Sequence, residues 1–235
     1  MDTPAMREER AAELLGATQL FGGLDPEALR HLAARVFERS YKKGQLVFYQ
    51  GDPGDALFVV VEGLVKVFVP SEEGDEMVLI TLSPPEVFGE VALIDGGPRS
   101  ASAEALEPTT VLMLTRGVLL EVLAQHPSLT DKLLRTLGTS LRRLTEQAAD
   151  LVFLDLHGRM AKLLVGMAED RGTKEGPEVV LDLHMTQTDL AGMVGGSRQS
   201  VNQILRSFER RGYLELRGRQ IRLKQPELLR RRAHL

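Results

Sequence analysis

Residues 88–101 read Phe88-Gly89-Glu90-Val91-Ala92-Leu93-Ile94-Asp95-Gly96-Gly97-Pro98-Arg99-Ser100-Ala101, a Gly- and Pro-rich segment holding one carboxylate, Glu90, and one guanidinium, Arg99. Val91-Ala92-Leu93-Ile94 predicts a single helical turn opening just after Gly89-Glu90, and the exposed N–H groups at such a start attract an anion. Gly96-Gly97-Pro98 makes a turn, and the Arg99 fork that follows it can pair two phosphate oxygens at once. Glu90 repels a phosphate and needs another partner. A sugar hydroxyl, which donates to a carboxylate, suits it, and a ligand with a hydroxyl near a phosphate is a nucleotide. The competing reading pairs Glu90 with Arg99 across a surface turn.

A second set of side chains points to a different polyanion. Val201, Ile204, Leu205 and Phe208 recur at i, i+3, i+4 and i+7, and the opposite face of that helix carries Arg198, Gln199, Asn202, Gln203 and Arg206. Arg binds a guanine bidentately, Gln suits adenine, and Ser197 and Ser200 can reach phosphates. The charge follows the same division. Residues 1–150 carry 14 Lys and Arg against 23 Asp and Glu, whereas 151–235 carry 15 against 10 and the stretch from Ser197 onward 11 against 3. A basic end on an acidic body implies a local anionic partner for that end. A solvated tail accounts for Arg230-Arg231-Arg232 but not for the rest of the basic end.

Composition narrows the class. The chain has 235 residues, 43% hydrophobic and 26% charged, values ordinary for a soluble globular protein of one or two domains. With no Cys there is no disulfide, zinc–thiolate or cysteine-ligated iron–sulfur site. Residues 1–10 are too charged for a secretory signal, and the longest apolar run, 56–69, is broken by Glu62 and Lys66, so a cytoplasmic location with no membrane partner is expected. The five His are scattered at 31, 126, 157, 184 and 234, and His31 and His126 read as surface helix residues rather than iron ligands; no metal is expected. Glu90, Asp95 and Arg99 have no nucleophile–base pair beside them, which argues against an enzyme.

The elements that must hold these groups can be read in order. Residues before about Arg7 read as loose, with a short helix from there through Leu15. Asp25-Pro26-Glu27 supplies an N-cap, a Pro at the first helical position and an acidic first turn for a helix carrying Leu29, Leu32, Ala33 and Val36 on one face. Strands are predicted at 45–49, 56–61, 64–69, 77–82, 101–105 and 110–114, separated by Gly-rich turns, which argues for a sandwich or jelly roll. A helix over 129–153 carries Leu137, Leu141, Leu144, Ala148 and Leu151 at spacings of 4, 3, 4 and 3, a coiled-coil seam for a parallel dimer; the competing reading packs this helix on its own barrel. Phe153-Leu154-Asp155 reads as a hinge. Asp155 caps a helix with Leu156, Met160, Leu163, Leu164 and Met167 inward, followed by a loop over 171–177 and a strand over 179–184. Thr186-Gln187-Thr188-Asp189 is a capping box, and Gly195-Gly196 turns the chain into the helix capped by Ser197. Tyr213 to Leu216, the turn Arg217-Gly218-Arg219 and Gln220 to Leu223 form a basic hairpin whose tip arginines can touch backbone phosphates.

The run Gly89-Glu90-x-Ala92-Leu93-x-x-Gly96-x-Pro98-Arg99-Ser100-Ala101 resembles the phosphate-binding cassette of cyclic-nucleotide-binding domains. By that resemblance Glu90 holds the ribose 2′-hydroxyl, Arg99 holds the cyclic phosphate, and Gly89 and Ser100 add contacts to it. Barrel, long helix and winged helix in this order resemble the CRP/FNR family of bacterial transcription regulators from about Leu20 to Leu223. Phe153-Leu154-Asp155-x-x-Gly158-Arg159 and Val194-Gly195-x-Ser197-Arg198-x-x-Val201 strengthen the likeness. The resemblance implies an α+β fold: an N-terminal β jelly-roll effector domain (1–128), a dimerisation helix (129–153) and a C-terminal winged helix-turn-helix (154–235). It also implies a homodimer, cyclic AMP or a related cyclic nucleotide as effector, double-stranded DNA as target and RNA polymerase as a further partner. Ligand-driven rotation about the hinge would set two recognition helices at successive major grooves. Two departures stand out. Where cyclic-AMP-binding members place a Thr that receives the adenine amino group, this chain has Leu144, with Thr145 next. In the recognition helix the usual Glu is Gln199 and a later basic residue is Gln203, so a different half-site is expected.

Overall fold

The computed structural model describes residues 4–234; the expectation for residues 1–3 lies outside them, and residues 4–6, expected loose, already belong to the first helix. The chain divides into two compact units, Met1–Val69 with Leu79–Arg142 and Pro70–Val78 with Arg143–Leu235.

The first unit opens with α1 (Pro4–Ala17) and α2 (Pro26–Ala33). Asp25 caps α2 as predicted, its carboxylate accepting the N–H groups of Glu27 at 3.0 Å and Ala28 at 2.9 Å. The helix stops at Ala33, sooner than expected, so Val36 packs on the core from outside it. The strands follow: β1 (Phe37–Tyr41), β2 (Leu46–Phe48), β3 (Ala56–Glu62), β4 (Val65–Pro70), β5 (Glu76–Leu82) and β6 (Val87–Phe88), then the one-turn helix α3 (Val91–Asp95), β7 (Ser102–Ala105) and β8 (Thr109–Thr115). They form two four-stranded sheets, β1-β8-β3-β6 and β2-β7-β4-β5.

Strand β3 explains why its sequence is an unbroken apolar run. Leu57 and Val59 join a core cluster that includes Leu15, Phe21, Leu32, Leu114 and Leu119. Ala56, Phe58 and Val60 point the other way, into a core with Val65, Leu82, Phe88, Ala103 and Val111. A strand covered on both faces loses the alternating pattern and becomes apolar throughout. Strand β1 is the opposite case. It pairs with β8 from Phe37↔Met113 to Tyr41↔Thr109, yet Phe37 to Ser40 are exposed, so no hydrophobic signal marks it in the sequence.

Helix α4 (Arg116–Gln125) was also not predicted; Val118, Leu119 and Val122 bury its inner face. Helix α5 (Ser128–Phe153) matches the predicted long helix and spans about 39 Å at 1.5 Å per residue. Its buried residues are Leu129 and Leu133, near its start. Beyond them the predicted seam lies open, with Leu141 66%, Leu144 40% and Leu151 43% exposed, and Leu134, 61% exposed, extends the same stripe one step earlier.

The second unit contains α6 (Leu156–Arg171), β9 (Thr173–Glu175), β10 (Glu178–Asp182), α7 (Gln187–Val194), α8 (Arg198–Arg210), β11 (Leu214–Arg217), β12 (Gln220–Leu223) and α9 (Pro226–Arg232). Its strands form a sheet in the order β11-β12-β10-β9. Its core gathers Met160, Leu164, Leu190, Val201, Leu205, Phe208, Ile221 and Leu229. Two expectations change here. The predicted loop at 171–177 contains β9, hairpinned to β10 through Gly176 at φ 64°. The Arg230-Arg231-Arg232 run is the last turn of a packed helix, anchored by Leu229 at 0% exposure and by ion pairs from Arg230 to Glu169 and from Arg232 to Asp155.

Candidate functional site: a buried arginine and an exposed helix

In the barrel, the cassette is held by backbone pairing to the turn between β2 and β3. The Arg99 N–H donates to the Asp52 carbonyl at 2.8 Å, and the Gly51 N–H to the Arg99 carbonyl at 2.9 Å. Helix α3 starts beside Glu90, whose carbonyl accepts the N–H groups of Leu93 and Ile94. It ends at Gly96 in the left-handed region, φ 72°, and the Asp95 carboxylate takes the Gly97 N–H at 2.8 Å. The Arg116 Nε donates to the Leu93 carbonyl at 2.9 Å and steadies the far end of the turn. Gly54 allows the close approach: a Cβ there would fall 2.1 Å from that of Ala92.

Arg99 is buried, only 4% exposed. Its Nη1 donates to the Gly89 carbonyl at 2.8 Å and its Nη2 to the Ala56 carbonyl at 2.6 Å. The guanidinium carbon lies 4.2 Å from the Phe48 ring centre and 5.5 Å from that of Phe58, in a cluster completed by Phe88. Its Nε has no hydrogen-bond partner among the described residues. Burial pushes the Arg99 pKa down, against the pull of Asp55, Asp52 and Glu90. Arg99 therefore does not lie at a surface turn. Gly89 serves this geometry twice: its φ of 79° disfavours other residues, and a Cβ would meet Arg99 Nη1 at 2.7 Å. Glu90 is half-buried beside the arginine and Ser100 is exposed. A desolvated cation held by carbonyls, with a donor left over, can bind an anion. Leu144 and Thr145 lie on the part of α5 that belongs to the second unit, and both are exposed.

In the second unit the predicted capping box is complete. Asp189 Oδ2 accepts the Thr186 N–H at 2.7 Å, and Thr186 Oγ1 accepts the Asp189 N–H at 3.2 Å. Gly195, at φ 62°, ends α7. Ser197 caps α8, accepting the Ser200 N–H at 3.1 Å, and the two hydroxyls lie 2.9 Å apart. Val201, Ile204, Leu205 and Phe208 are buried as their spacing predicts, while Arg198, Gln199, Gln203 and Arg206 are exposed. Asn202 departs from that outer face: it is half-buried, and its Nδ2 donates to Gln187 Oε1 on α7 at 3.0 Å. At the hairpin tip Arg217 and Arg219 are both exposed, but Arg217 Nε donates to Glu215 at 2.8 Å. Arg217 and Lys224 together hold the Glu215 carboxyl down at about 2.

The linker shows why Gly158-Arg159 accompanies Phe153-Leu154-Asp155. Asp155 caps α6 by accepting the Gly158 N–H at 2.7 Å, and that bond, with Arg232, lowers its pKa. Arg159, not singled out by its chemistry in the sequence, donates to the Leu154 carbonyl and the Val194 carbonyl, both at 2.7 Å, and to the Gly195 carbonyl at 3.4 Å. One guanidinium thus ties the linker to the turn between α7 and α8.

Among the described residues no group of three or more His, Asp or Glu is placed to hold a metal ion, and no helix is long and apolar enough to cross a membrane. Comparison with known proteins matches residues 38–126 to the cyclic nucleotide-binding domain and residues 158–232 to the Crp-like helix-turn-helix domain. A CRP-like cAMP-activated global transcriptional regulator of Mycobacterium tuberculosis is 35% identical over 221 residues, covering 94% of this chain and 99% of the relative. The cyclic AMP receptor protein of Thermus thermophilus is 35% identical over 211 residues, covering 89% and 94%. Among solved structures, the catabolite activator protein of Thermus thermophilus is 32% identical with a TM-score of 0.52, covering 92% of this chain and 98% of its own. The c-di-GMP responsive regulator CLP of Xanthomonas campestris, 23% identical, shares the fold with a TM-score of 0.75, covering 85% and 99%. The relatives are regulators rather than enzymes, and with this coverage and identity the chain belongs to the CRP/FNR family of transcription regulators.

Proposed function

We propose that the protein is a cytoplasmic homodimer that binds a specific double-stranded DNA sequence under the control of a cyclic nucleotide, cyclic AMP foremost. The effector domain comprises residues 1–128, the dimerisation helix 129–153 and the DNA-binding domain 154–235. Arg99 carries the effector reading: it is a buried cation with an unmatched Nε, and a cyclic phosphate offers that Nε an acceptor. Glu90 takes the ribose hydroxyl, and Gly89 and Ser100 add contacts to the phosphate. Thr145, or Leu144 by shape, sets the preference for the purine. The names of the relatives from Mycobacterium tuberculosis and Thermus thermophilus support cyclic AMP as the nucleotide. The open leucine stripe on α5 supports a second copy of the chain as its cover, because exposed leucines at 3–4 spacing lose apolar area to water unless paired. On DNA, Arg198, Gln199 and Gln203 read bases. Ser197, Ser200 and the wing residues Arg217 and Arg219 meet phosphates, and RNA polymerase is the partner through which binding acts on transcription.

Titration calorimetry of nucleotide-stripped protein with cyclic AMP and then cyclic GMP tests the effector. Saturable binding that Arg99→Ala abolishes, with thermal unfolding still cooperative, is the expected result. No heat from either nucleotide, or equal affinity in the variant, overturns it and leaves a family member with a vestigial pocket or another effector.

A further inference from the structure

Strand β2 is irregular just where it faces Arg99. Successive side chains of a regular strand point to opposite faces of the sheet. Val47 and Phe48 nevertheless pack against the same core, the one that holds Phe58 and Phe88. A bulge makes this possible: the two-residue step from Leu46 to Phe48 is matched on β7 by the single step from Glu104 to Ala103. A bulge of this kind re-aims a side chain. Here the side chain is the Phe48 ring, whose centre lies 4.2 Å from the Arg99 guanidinium carbon. The turn that follows is fixed to Arg99 as well. The Tyr49 N–H donates to the Asp52 carboxylate at 2.9 Å, and the Asp52 carbonyl accepts the Arg99 N–H at 2.8 Å. Ring and arginine are thus set by one short stretch of chain.

Phe48 differs from its two aromatic neighbours. Phe58 and Phe88 are fully enclosed and stack on each other at 5.2 Å. Phe48 is half-buried and lies nearer the charge than Phe58 does. A ring face attracts a cation electrostatically without taking any of its in-plane N–H groups. A carboxylate in the same place would accept those N–H groups and leave fewer for a ligand anion. With the ring there, Nη1 and Nη2 hold backbone carbonyls and the buried Nε keeps its donor.

We propose that Phe48, aimed by the β2 bulge, is a positioning residue of the effector site: its ring carries the Arg99 guanidinium as a desolvated cation and leaves Nε for a phosphate oxygen of the cyclic nucleotide. This rests on the effector reading above and adds a residue which that reading does not use. Phe48 acts through Arg99, so its loss weakens the ligand by letting the guanidinium leave its place, not by removing a contact to the nucleotide.

The test uses the full-length, nucleotide-stripped protein, with calorimetry against cyclic AMP and cyclic GMP and with NMR of the arginine Nε–H groups. Phe48→Leu keeps an apolar side chain of similar reach but has no ring. It is expected to weaken the bound nucleotide by roughly 3–30-fold, the range of a cation–π contact from exposed to desolvated, with thermal unfolding still cooperative. Phe48→Tyr keeps the ring and should bind within about threefold of wild type. Where Phe48→Leu does not fold, Phe48→Met, equally without a ring, takes its place. The NMR signal separates positioning from packing. A proton held over a ring face is shifted upfield, so the Arg99 Nε–H, identified by its loss in Arg99→Lys, should lie upfield in wild type and in Phe48→Tyr and return toward the free value in Phe48→Leu. Unchanged affinity in Phe48→Leu overturns the proposal. So does weakened affinity with the Arg99 signal unmoved, which would make Phe48 a ligand contact or a packing residue. A wild-type protein that binds neither nucleotide sinks the effector reading and the ligand half of this one, while the Arg99 signal without ligand still decides whether Phe48 seats the arginine.

Discussion

Arg99 in the barrel and Arg198 on the recognition helix are each assigned to nucleic-acid chemistry, yet the fold treats them in opposite ways. Arg99 is buried, ringed by Phe48 and Phe58 and bonded to two backbone carbonyls. Arg198 is exposed, on a helix whose buried face is wholly apolar. A small ligand with one phosphate is bound tightly by a single charge only if that charge is desolvated and fixed beforehand. DNA is a long polyanion, and many exposed cations that need not be fixed in advance serve it, at the cost of sensitivity to salt. The same side chain is thus a pre-set socket in one unit and a solvated probe in the other.

The contrast can be broken most severely at α5, the element proposed to serve both functions. Leu141→Asp in the α5 stripe should turn the proposed dimer into monomers by sedimentation and abolish tight operator binding, with the barrel still folded; a stable dimer would place the interface elsewhere. Next, Arg198→Ala should weaken the preferred duplex by about 1–3 kcal/mol and relax one base position, whereas an equal loss on random DNA would contradict base reading. Gly89→Ala tests the socket without touching the charge. The left-handed backbone should cost about 1–2 kcal/mol in thermal unfolding, and the displaced Arg99 should weaken cyclic-nucleotide binding about tenfold or more by calorimetry. DNA binding measured without effector should stay unchanged. The smallest effect is at the wing. The Glu215 carboxyl, normally near 4.5, is held at about 2 by Arg217 and Lys224. A depressed carboxylate stabilises the folded wing above its ordinary pKa and loses that contribution as pH falls toward 2. Protection of the Leu214 to Leu223 amides, taken relative to their intrinsic exchange rate at each pH, should therefore fall through that range, and Glu215→Gln should flatten the dependence.

Both functional regions were legible in the sequence because their residues lie close together in the chain. The cassette needs Gly where the backbone turns left-handed and Arg just after the turn, and the helix-turn-helix announces itself through caps and a 3–4 spacing. What sequence reading missed depends on partners far away. The exposed β1 carries no apolar alternation, and α9 looked like a charged tail because the partners of its arginines, Asp155 and Glu169, lie more than 60 residues back. The burial of Arg99 escaped for the same reason: Ala56 and Phe48, which enclose it, come from strands over 40 residues earlier. Asn202 fitted the outer face by spacing alone, and only the position of Gln187 on the adjoining helix turned it away.

The pair between Arg232 and Asp155 spans 77 positions of the chain. Asp155 also caps the first turn of α6, so the α6 start and the α9 end share one carboxylate. Elements joined in this way lose their protection together rather than in sequence. The amides of Gly158 and Arg159 should therefore exchange with solvent at the rate of those in α9, and the winged unit should melt as a single cooperative block whose weakest and strongest parts are the same.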